Sequence, residues 1–400
     1  MPLSPSARER YARHLLLPGF GHSGQQKLMA ARILVVGAGG LGAPVLSYLA
    51  AAGVGHITVI DDDVVDSSNL QRQVIHTVDR IGQPKVDSAR VAILGLSPDI
   101  SLVTIQERLT AENAVEVVQG HDLVIDGTDN FGTRYLLNDL CVALGLPYVW
   151  AAIFQYDATL SVFDAAVGPC YRCLHPSPPP AGAVPSCADG GVLGVLPGHI
   201  GTAQATEAIK VLTGVGAPLI GRVATYSALS GEWDYIPLAK SPNCPACSSP
   251  RSVKETLVAL ESTLTACNIS AVAPDRVGTT SAEAHQGGTS SATSAEESVI
   301  DPVELSQWLE QEGALLIDVR SVQETQIVSI PGATHIPLAQ LIAQPEQIAH
   351  SQSVVIYCKS GARSAQAASA LRQHGHQNVL NLAGGVLAWV QKVSPHEATY

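Results

Sequence analysis

A glycine-rich turn that directly follows a run of aliphatic residues places the strongest constraint on how this 400-residue chain folds. Residues 33–36, Ile-Leu-Val-Val, have the composition of a buried strand, and an Ala/Leu-rich helical stretch begins soon afterwards. Glycines at such a junction let the backbone approach phosphate groups at the N-terminus of the helix. The pattern predicts a parallel α/β sheet with a phosphate-binding first turn, whose glycines are Gly37, Gly39, Gly40 and Gly42.

The same rhythm of short Val/Ile-rich runs and longer helical stretches continues to about residue 153. Such alternation predicts a parallel sheet covered by helices on both faces. Later alternating runs predict antiparallel strands that extend it, so we expect a Rossmann-like α/β fold with a mixed sheet. The predicted strands are 32–37, 56–60, 100–105, 121–126 and 147–153, then 159–163, 222–226 and 233–237, with a helix at 195–212.

The length and a change of composition predict two domains. Single hydrophobic cores stop growing near about 250–300 residues, which is shorter than this chain. Between positions 271 and 298 the residues are mostly Ser, Thr, Ala, Gly and Glu, the composition of a flexible linker. We expect a first domain at 1–250, a helical stretch and linker at 251–298, and a small α/β domain at 299–400 with strands at 315–319, 354–357 and 379–382.

Charge and cysteine usage narrow the function classes. The net charge of −12 disfavours direct binding to nucleic acid or to anionic membranes, which require clustered Lys and Arg. Residues 1–13 contain no apolar run of the length that a signal peptide needs, so we expect a cytoplasmic protein. In a reducing compartment the eight cysteines are better explained as metal ligands, nucleophiles or packing residues than as disulfides.

Acidic and basic residues downstream of the turn distinguish two kinds of nucleotide site. Asp61 ends the second strand, where a carboxylate can accept hydrogen bonds from ribose hydroxyls. These features alone are also compatible with an NAD-dependent oxidoreductase, which would need in addition a nicotinamide site and a hydride acceptor. Further polar residues fit a triphosphate with Mg²⁺ better than a nicotinamide, because Arg and Lys neutralise phosphate charge and carboxylate oxygen is the ligand that Mg²⁺ prefers. These candidate ATP-binding residues are Asp63, Asn69, Arg72, Gln73, Lys85, Asp129 and Asn130.

Four cysteines form two knuckle pairs, Cys170-x-x-Cys173 and Cys244-x-x-Cys247. Four thiolates can close a tetrahedral structural zinc site that leaves no position for water. The alternative is two redox-active dithiols, which the wide separation of the pairs makes less favourable. We expect one structural Zn²⁺.

Cys358 follows the predicted strand 354–357 and opens the loop Cys-Lys-Ser-Gly-Ala-Arg-Ser, after which a helix begins. Backbone N–H groups at a helix N-terminus, with Lys359 and Arg363 nearby, stabilise a thiolate or persulfide anion. The alternative is an inert thiol at the end of a buried strand. A charged, glycine-containing loop favours a reactive nucleophile.

Residues 8–248 resemble the MoeB/ThiF branch of the ubiquitin-activating-enzyme superfamily through Gly-x-Gly-Gly-Leu-Gly, Ser-Asn-Leu-Gln-Arg-Gln, Gly-Gln-Pro-Lys and Asp-Gly-Thr-Asp-Asn. Residues 299–400 resemble a single-domain rhodanese. The resemblance implies that Asp61 binds ribose and that Asp129 binds magnesium. It also implies that Arg13 reaches into a neighbouring subunit's site, hence a homodimer. The phosphate ligands that it implies are Asn69, Arg72 and Lys85.

The order of the two halves is similar to that of the molybdopterin-synthase adenylyltransferase/sulfurtransferases. This resemblance implies MgATP-dependent adenylation of the C-terminal glycine of a ubiquitin-like sulfur carrier. Cys358, charged by a donor such as a cysteine desulfurase or thiosulfate, would then supply persulfide sulfur to give a thiocarboxylate. By the same resemblance Cys187, in Ser-Cys-Ala-Asp-Gly-Gly, can form a thioester or persulfide adduct with the carrier, although a persulfide could also attack the adenylate without Cys187. Two alternatives remain: a ThiF-like activating enzyme without sulfur transfer, and a non-catalytic sulfur-sensing scaffold.

Overall fold

Two units make up the chain, Met1–Val272 and Ala273–Tyr400. The computed structural model of the protein describes residues 3–179, 190–249, 251–268, 299–309, 315–350 and 353–397. No helix within these ranges is both long enough and apolar enough to cross a membrane.

An eight-stranded mixed sheet forms the centre of the first unit, with the strand order β3-β2-β1-β4-β5-β6-β7-β8. Strands β1 to β5 are parallel, and β6 to β8 continue the sheet in antiparallel fashion. The predicted mixed α/β fold is thus confirmed, with strand ends that differ by at most two residues from those expected. The strands are β1 Arg32–Val36, β2 His56–Ile60, β3 Ser101–Ile105, β4 Leu123–Asp126, β5 Tyr148–Phe154, β6 Asp157–Phe163, β7 Arg222–Ser227 and β8 Glu232–Pro237.

Helices cover both faces of this sheet. Alternate residues of β1 belong to two separate apolar clusters: Ile33 and Val35 to one, Leu34 and Val36 to the other. Successive side chains of a strand point to opposite faces, so the clusters are the cores on the two sides of the sheet. The helices of the first unit are Pro5–Arg10, Ala12–Leu15, Gly21–Ala30, Gly42–Ala52, Lys85–Leu96, Ala114–Val118, Phe131–Leu144, Tyr171–Leu174, Val195–Thr213 and Val253–Asn268.

Helix Val253–Asn268 packs against helix Phe131–Leu144. Its Leu260 is fully buried in the same core as Leu136 and Leu140. This helix is therefore part of the first unit's core, although the sequence grouped it with the linker. The predicted linker residues beyond it, 269–298, lie outside the described residues.

The second unit contains a five-stranded parallel sheet with the order β11-β10-β12-β13-β9. The three strands expected from the sequence are present. Two more, β9 and β11, have two residues each and are too short to show a periodic pattern. The strands are β9 Val299–Ile300, β10 Leu315–Asp318, β11 Thr334–His335, β12 Val354–Tyr357 and β13 Val379–Leu382, and the helices are Pro302–Leu309, Val322–Thr325, Leu338–Ala343, Ala362–Gln373 and Gly385–Lys392.

Candidate active sites

The glycine turn lies at the C-terminal end of β1, between its neighbours β2 and β4. Strand connections leave in opposite directions at this point, which is where open α/β sheets bind ligands. Gly37 has a φ of +92°, and a Cβ on Gly42 would lie 1.9 Å from the Gly37 carbonyl oxygen. A side chain at either position would therefore disrupt the turn. Helix Gly42–Ala52 begins immediately afterwards, so its free N–H groups face this end of the sheet.

Asp61 accepts two backbone hydrogen bonds at the same end of the sheet. Its Oδ2 is 2.7 Å from the Ala38 nitrogen, and its Oδ1 is 2.8 Å from the Asp63 nitrogen. Burial raises the pKa of the Asp61 carboxyl, and the positive charge of Lys85 opposes that rise. Each carboxylate oxygen can accept more than one hydrogen bond, so Asp61 can also accept from ribose hydroxyls.

Lys85 is the first residue of helix Lys85–Leu96 and is 6% exposed. Its Nζ lies 2.7 Å from Asp63 Oδ2, and its backbone nitrogen donates to the Asp63 carbonyl at 2.9 Å. These two contacts hold the ammonium group beside the acidic end of β2. The ammonium has three donors and can therefore contact Asp63 and an additional anion together.

The segment 68–73 brings further candidates to the glycine turn. Arg72 Nη1 donates to the Ser68 carbonyl at 3.0 Å, which orders the guanidinium. Gln73 is 5% exposed, and its Nε2 lies 3.7 Å from the position that a Cβ on Gly39 would occupy. Within the described part of the chain, the buried Oε1 of Gln73 has no hydrogen-bond partner. Such an orphaned polar atom beside an open glycine turn fits a site that a ligand completes.

A buried network fixes the loop after β4. Asp126 Oδ1 accepts from the Thr128 nitrogen at 2.8 Å and from the Thr128 hydroxyl at 2.7 Å, and Oδ2 accepts from the Tyr148 hydroxyl at 2.6 Å. Burial raises the pKa of Asp126, whereas these hydrogen bonds and the charge of Arg134 oppose the rise. Asp129 lies at the exposed tip of the loop that this network holds.

Three other predicted site residues have different surroundings. The Asn130 side-chain oxygen accepts from the Thr133 nitrogen at 2.8 Å and so caps helix Phe131–Leu144 rather than pointing freely at a metal. Arg13 is exposed on helix Ala12–Leu15. Cys187 lies outside the described residues.

Two residues that sequence reasoning missed support this end of the sheet. Tyr148 bonds Asp126, and the buried His76 contacts the glycine turn through the Ala38 carbonyl. Tyr148 lies at the start of β5, and His76 lies directly after Ile75. A polar group within an apolar stretch is the sequence signal that could have indicated either role.

The four knuckle cysteines form one cluster. Cys170 Sγ lies 3.5 Å from Cys244 Sγ and 4.0 Å from Cys173 Sγ, and Cys173 Sγ lies 3.5 Å from Cys247 Sγ. Four sulfurs about 2.3 Å from a central Zn²⁺ would be about 3.8 Å apart, and disulfide sulfurs about 2 Å apart. Burial raises the pKa of Cys170, and a bound cation would reverse that effect. The donor set therefore fits a tetrahedral zinc ion.

Cys358 lies at the C-terminal end of β12 and is 1% exposed. Its Sγ accepts from the Gly361 nitrogen at 3.2 Å and from the Ser364 hydroxyl at 3.4 Å. Gly361 adopts a φ of +102°, which turns the loop into helix Ala362–Gln373. Donors thus converge on the sulfur, as stabilisation of a thiolate or persulfide anion requires.

The charged residues around this loop are paired. Arg363, expected to lie near Cys358, makes a two-pronged ion pair with Glu324 at 2.6 and 2.9 Å. Arg320 contacts both oxygens of Asp318, and both residues are buried. The backbone of helix Gly385–Lys392 also supports the loop, because the Val386 nitrogen donates to the Cys358 carbonyl at 2.9 Å.

Comparison with known proteins relates both halves of the chain to known families. Residues 11–246 match the ThiF family, and residues 301–392 match the rhodanese-like domain. The probable adenylyltransferase/sulfurtransferase MoeZ of Mycobacterium tuberculosis is 44% identical over 410 residues, which span 100% of this chain and 97% of that protein. The sulfur carrier protein adenylyltransferase of Thermus thermophilus is 47% identical over 252 residues, 62% of this chain and 93% of that protein.

A solved structure shares the fold of a large part of this chain. Escherichia coli MccB, crystallised with ATP, superimposes with a TM-score of 0.54 at 22% identity, covering 60% of this chain and 75% of MccB. The sequence match to MoeZ, in contrast, spans both halves of the chain. The chain therefore belongs to the ThiF family, carries a C-terminal rhodanese-like domain, and is an adenylyltransferase and sulfurtransferase.

Proposed function

We propose that this chain uses ATP and Mg²⁺ to adenylate the C-terminal glycine of a ubiquitin-like sulfur carrier, and then transfers sulfur from Cys358 to it. One observation carries the proposal: a glycine turn with Asp61 and Lys85 and a cysteine that accepts two hydrogen bonds occur in one chain. The Thermus thermophilus relative is named for adenylating a sulfur carrier. The product would be a carrier thiocarboxylate.

The first step forms an acyl-adenylate. A carboxylate oxygen of the carrier attacks the α-phosphorus of ATP, the bond to the β-phosphate bridging oxygen breaks, and pyrophosphate leaves. The glycine turn and Asn69 would hold the nucleotide, while Arg72 and Lys85 would neutralise phosphate charge. Asp129 would hold Mg²⁺, which supplies further charge neutralisation. Since such reactions depend mainly on positioning, the ordering of Arg72 and Lys85 before substrate binding favours catalysis.

The second step transfers sulfur. The terminal sulfur of a Cys358 persulfide attacks the acyl carbon, AMP leaves, and the carrier is joined to Cys358 through an S–S bond. A thiolate then attacks the Cys358 sulfur, which releases the thiocarboxylate and leaves a disulfide that a cellular dithiol reduces. Cys187 is our candidate for that thiolate. Thiosulfate or a desulfurase persulfide would reload Cys358.

We also infer that the cysteine cluster holds one structural Zn²⁺, because four thiolates leave no coordination position for substrate. The exposed Arg13 would act in the nucleotide site of a second subunit. If so, mixing Arg13→Ala with Asp129→Ala protein should restore adenylation, because a mixed dimer contains one site without either change. Failure of the mixture to recover activity would contradict action between subunits.

ATP–pyrophosphate exchange tests the adenylation step. With a carrier that ends in Gly-Gly, wild-type protein should exchange label, and Asp129→Ala should lower the rate by about 100-fold or more, the scale of losing one charge-stabilising group. Asp99→Ala is the matched control, since Asp99 is exposed next to the N-terminal end of β3. The candidate nucleotide site lies at the opposite, C-terminal end of the parallel strands. Absence of exchange with every carrier tested would favour the scaffold alternative.

A further inference from the structure

His76 is a buried polar residue to which the proposed reaction assigns no role. It is 5% exposed, and both of its ring nitrogens have partners. Nδ1 lies 2.9 Å from the Ser88 hydroxyl, and Nε2 lies 2.9 Å from the Ala38 carbonyl oxygen. A carbonyl oxygen can only accept, so Nε2 carries the proton, and Nδ1 of the neutral ring accepts from Ser88.

These two hydrogen bonds join three parts of the candidate ATP site. Ala38 lies within the glycine turn, and its nitrogen donates to Asp61 at 2.7 Å. Ser88 lies on helix Lys85–Leu96, one turn after Lys85. His76 itself follows the segment that carries Arg72 and Gln73, and its backbone nitrogen donates to the Gln73 carbonyl at 3.0 Å.

The surroundings of His76 favour the neutral ring. Burial lowers the pKa of His76, and the nearby positive charge of Lys85 lowers it further. The ring therefore stays neutral to a lower pH than an ordinary histidine. A fixed neutral tautomer suits a residue that orients a peptide group, because the donor and the acceptor nitrogen do not exchange roles.

We propose that His76 is a positioning residue: it holds the Ala38 peptide so that the glycine turn, the segment with Arg72 and Gln73, and the helix with Lys85 keep one arrangement around ATP. The proposal rests on the proposed ATP site. It predicts that loss of the Nε2 donor weakens nucleotide binding more than it weakens the fold. Loss of the Nδ1 acceptor should have a smaller effect, because it removes only the hydrogen bond from the Ser88 hydroxyl and leaves the Ala38 peptide held by Nε2.

Direct binding of MgATP to the full chain tests this without any carrier. In His76→Gln the side-chain amide can take the place of Nε2–H, whereas in His76→Asn it reaches only the position of Nδ1. We expect MgATP dissociation constants within about 3-fold of wild type for His76→Gln and raised about 10-fold or more for His76→Asn, as expected when a buried carbonyl loses its donor. Thiosulfate sulfurtransferase activity of Cys358 should be wild-type in both variants, and the thermal unfolding midpoint of the first unit should fall only slightly in His76→Asn, because one buried carbonyl loses its donor.

The outcomes separate the two proposals. If wild-type protein does not bind MgATP, the proposed function fails. If wild type binds and His76→Asn binds equally well, or if Gln and Asn weaken binding alike, His76 does not position the site through Nε2. Should His76→Asn unfold, the Ser88→Ala variant replaces it, because it removes only the hydrogen bond to Nδ1 of His76. An MgATP dissociation constant raised about 2- to 5-fold in folded Ser88→Ala protein supports the proposal, and an unchanged value overturns it.

Discussion

Arg172 and Asp139 form a buried ion pair in which Arg172 Nε lies 2.8 and 2.9 Å from the two carboxylate oxygens. Arg172 stands between the cysteines of the first knuckle, and Asp139 belongs to helix Phe131–Leu144. Arg172 Nη2 also donates to the Thr263 hydroxyl at 3.3 Å. The pair thus links the cysteine cluster to the helix that begins after Asp129 and to helix Val253–Asn268.

Asp139→Ala should destabilise the first unit by about 3–5 kcal/mol, because it leaves the Arg172 charge buried without its partner. Urea unfolding of the full chain, followed by circular dichroism, should show the first unit's transition at lower denaturant. Lys392→Met breaks the exposed Lys392–Asp301 pair and should leave the second unit's midpoint unchanged. An Asp139→Ala transition that coincides with wild type would show that this pair does not hold the helices together.

Purified protein should contain about one zinc ion per chain, as four thiolates form a closed tetrahedral site. Cys244→Ser should lose the metal and lower the unfolding midpoint of the first unit, because metal binding is coupled to folding. Cys141→Ala is the matched control: Cys141 is buried but outside the cluster, and its zinc content should equal that of wild type. Full zinc in Cys244→Ser would contradict the assignment.

The second unit should lose stability as the pH falls below about 6.5, the ordinary histidine value. Burial lowers the pKa of His376, and the neighbouring His350 and His374 lower it further. Below that pH the unfolded chain binds more protons than the folded one. The second unit therefore keeps its full stability above that pH and loses stability as the pH falls below it. His376→Phe should flatten the decline in urea midpoints between pH 7 and pH 5, and exchange of the exposed His396 for Gln should not. An equal slope in wild type and His376→Phe would contradict this.

Ser364→Ala should slow sulfur transfer from thiosulfate by about 10- to 100-fold, because hydrogen bonds to charged groups contribute about 1.5–3 kcal/mol. The Ser364 hydroxyl is buried at 3.4 Å from Cys358 Sγ, whereas the Ser360 side chain is exposed. Ser360→Ala therefore controls for the loss of a hydroxyl in the same loop. Rates for Ser364→Ala that match those for Ser360→Ala would show that the sulfur needs no such donor.

Local sequence patterns were sufficient to predict the parts of these sites that depend on residue type. Gly37 and Gly42 marked the turn because a left-handed φ and a close carbonyl contact both exclude side chains. The spacing of the knuckle pairs indicated four thiols in one place, and their sulfurs lie within 4.8 Å of one another. In each case the chemistry restricts the residue to one type.

Contacts between distant segments could not be predicted in this way. The bond from His76 to Ala38 depends on how the segment after β2 returns to the turn, and no periodicity encodes that path. Asn130 is equally suited to capping a helix and to binding a metal, and only the position of the Thr133 nitrogen shows the cap. The sequence pattern groups helix Val253–Asn268 with the linker, because the residues that share a core with its Leu260, such as Leu136, lie far from it along the chain.

The intact mass of a carrier incubated with this protein, ATP and thiosulfate tests the central proposal most directly. Conversion of its C-terminal carboxylate to a thiocarboxylate adds about 16 Da, since one sulfur atom replaces one carboxylate oxygen in the covalent transfer. The gain should require ATP, and it should be absent with Cys358→Ala and with Asp129→Ala. A carrier that gains this mass with Cys358→Ala, or that never gains it although ATP–pyrophosphate exchange proceeds, would contradict sulfur transfer from Cys358.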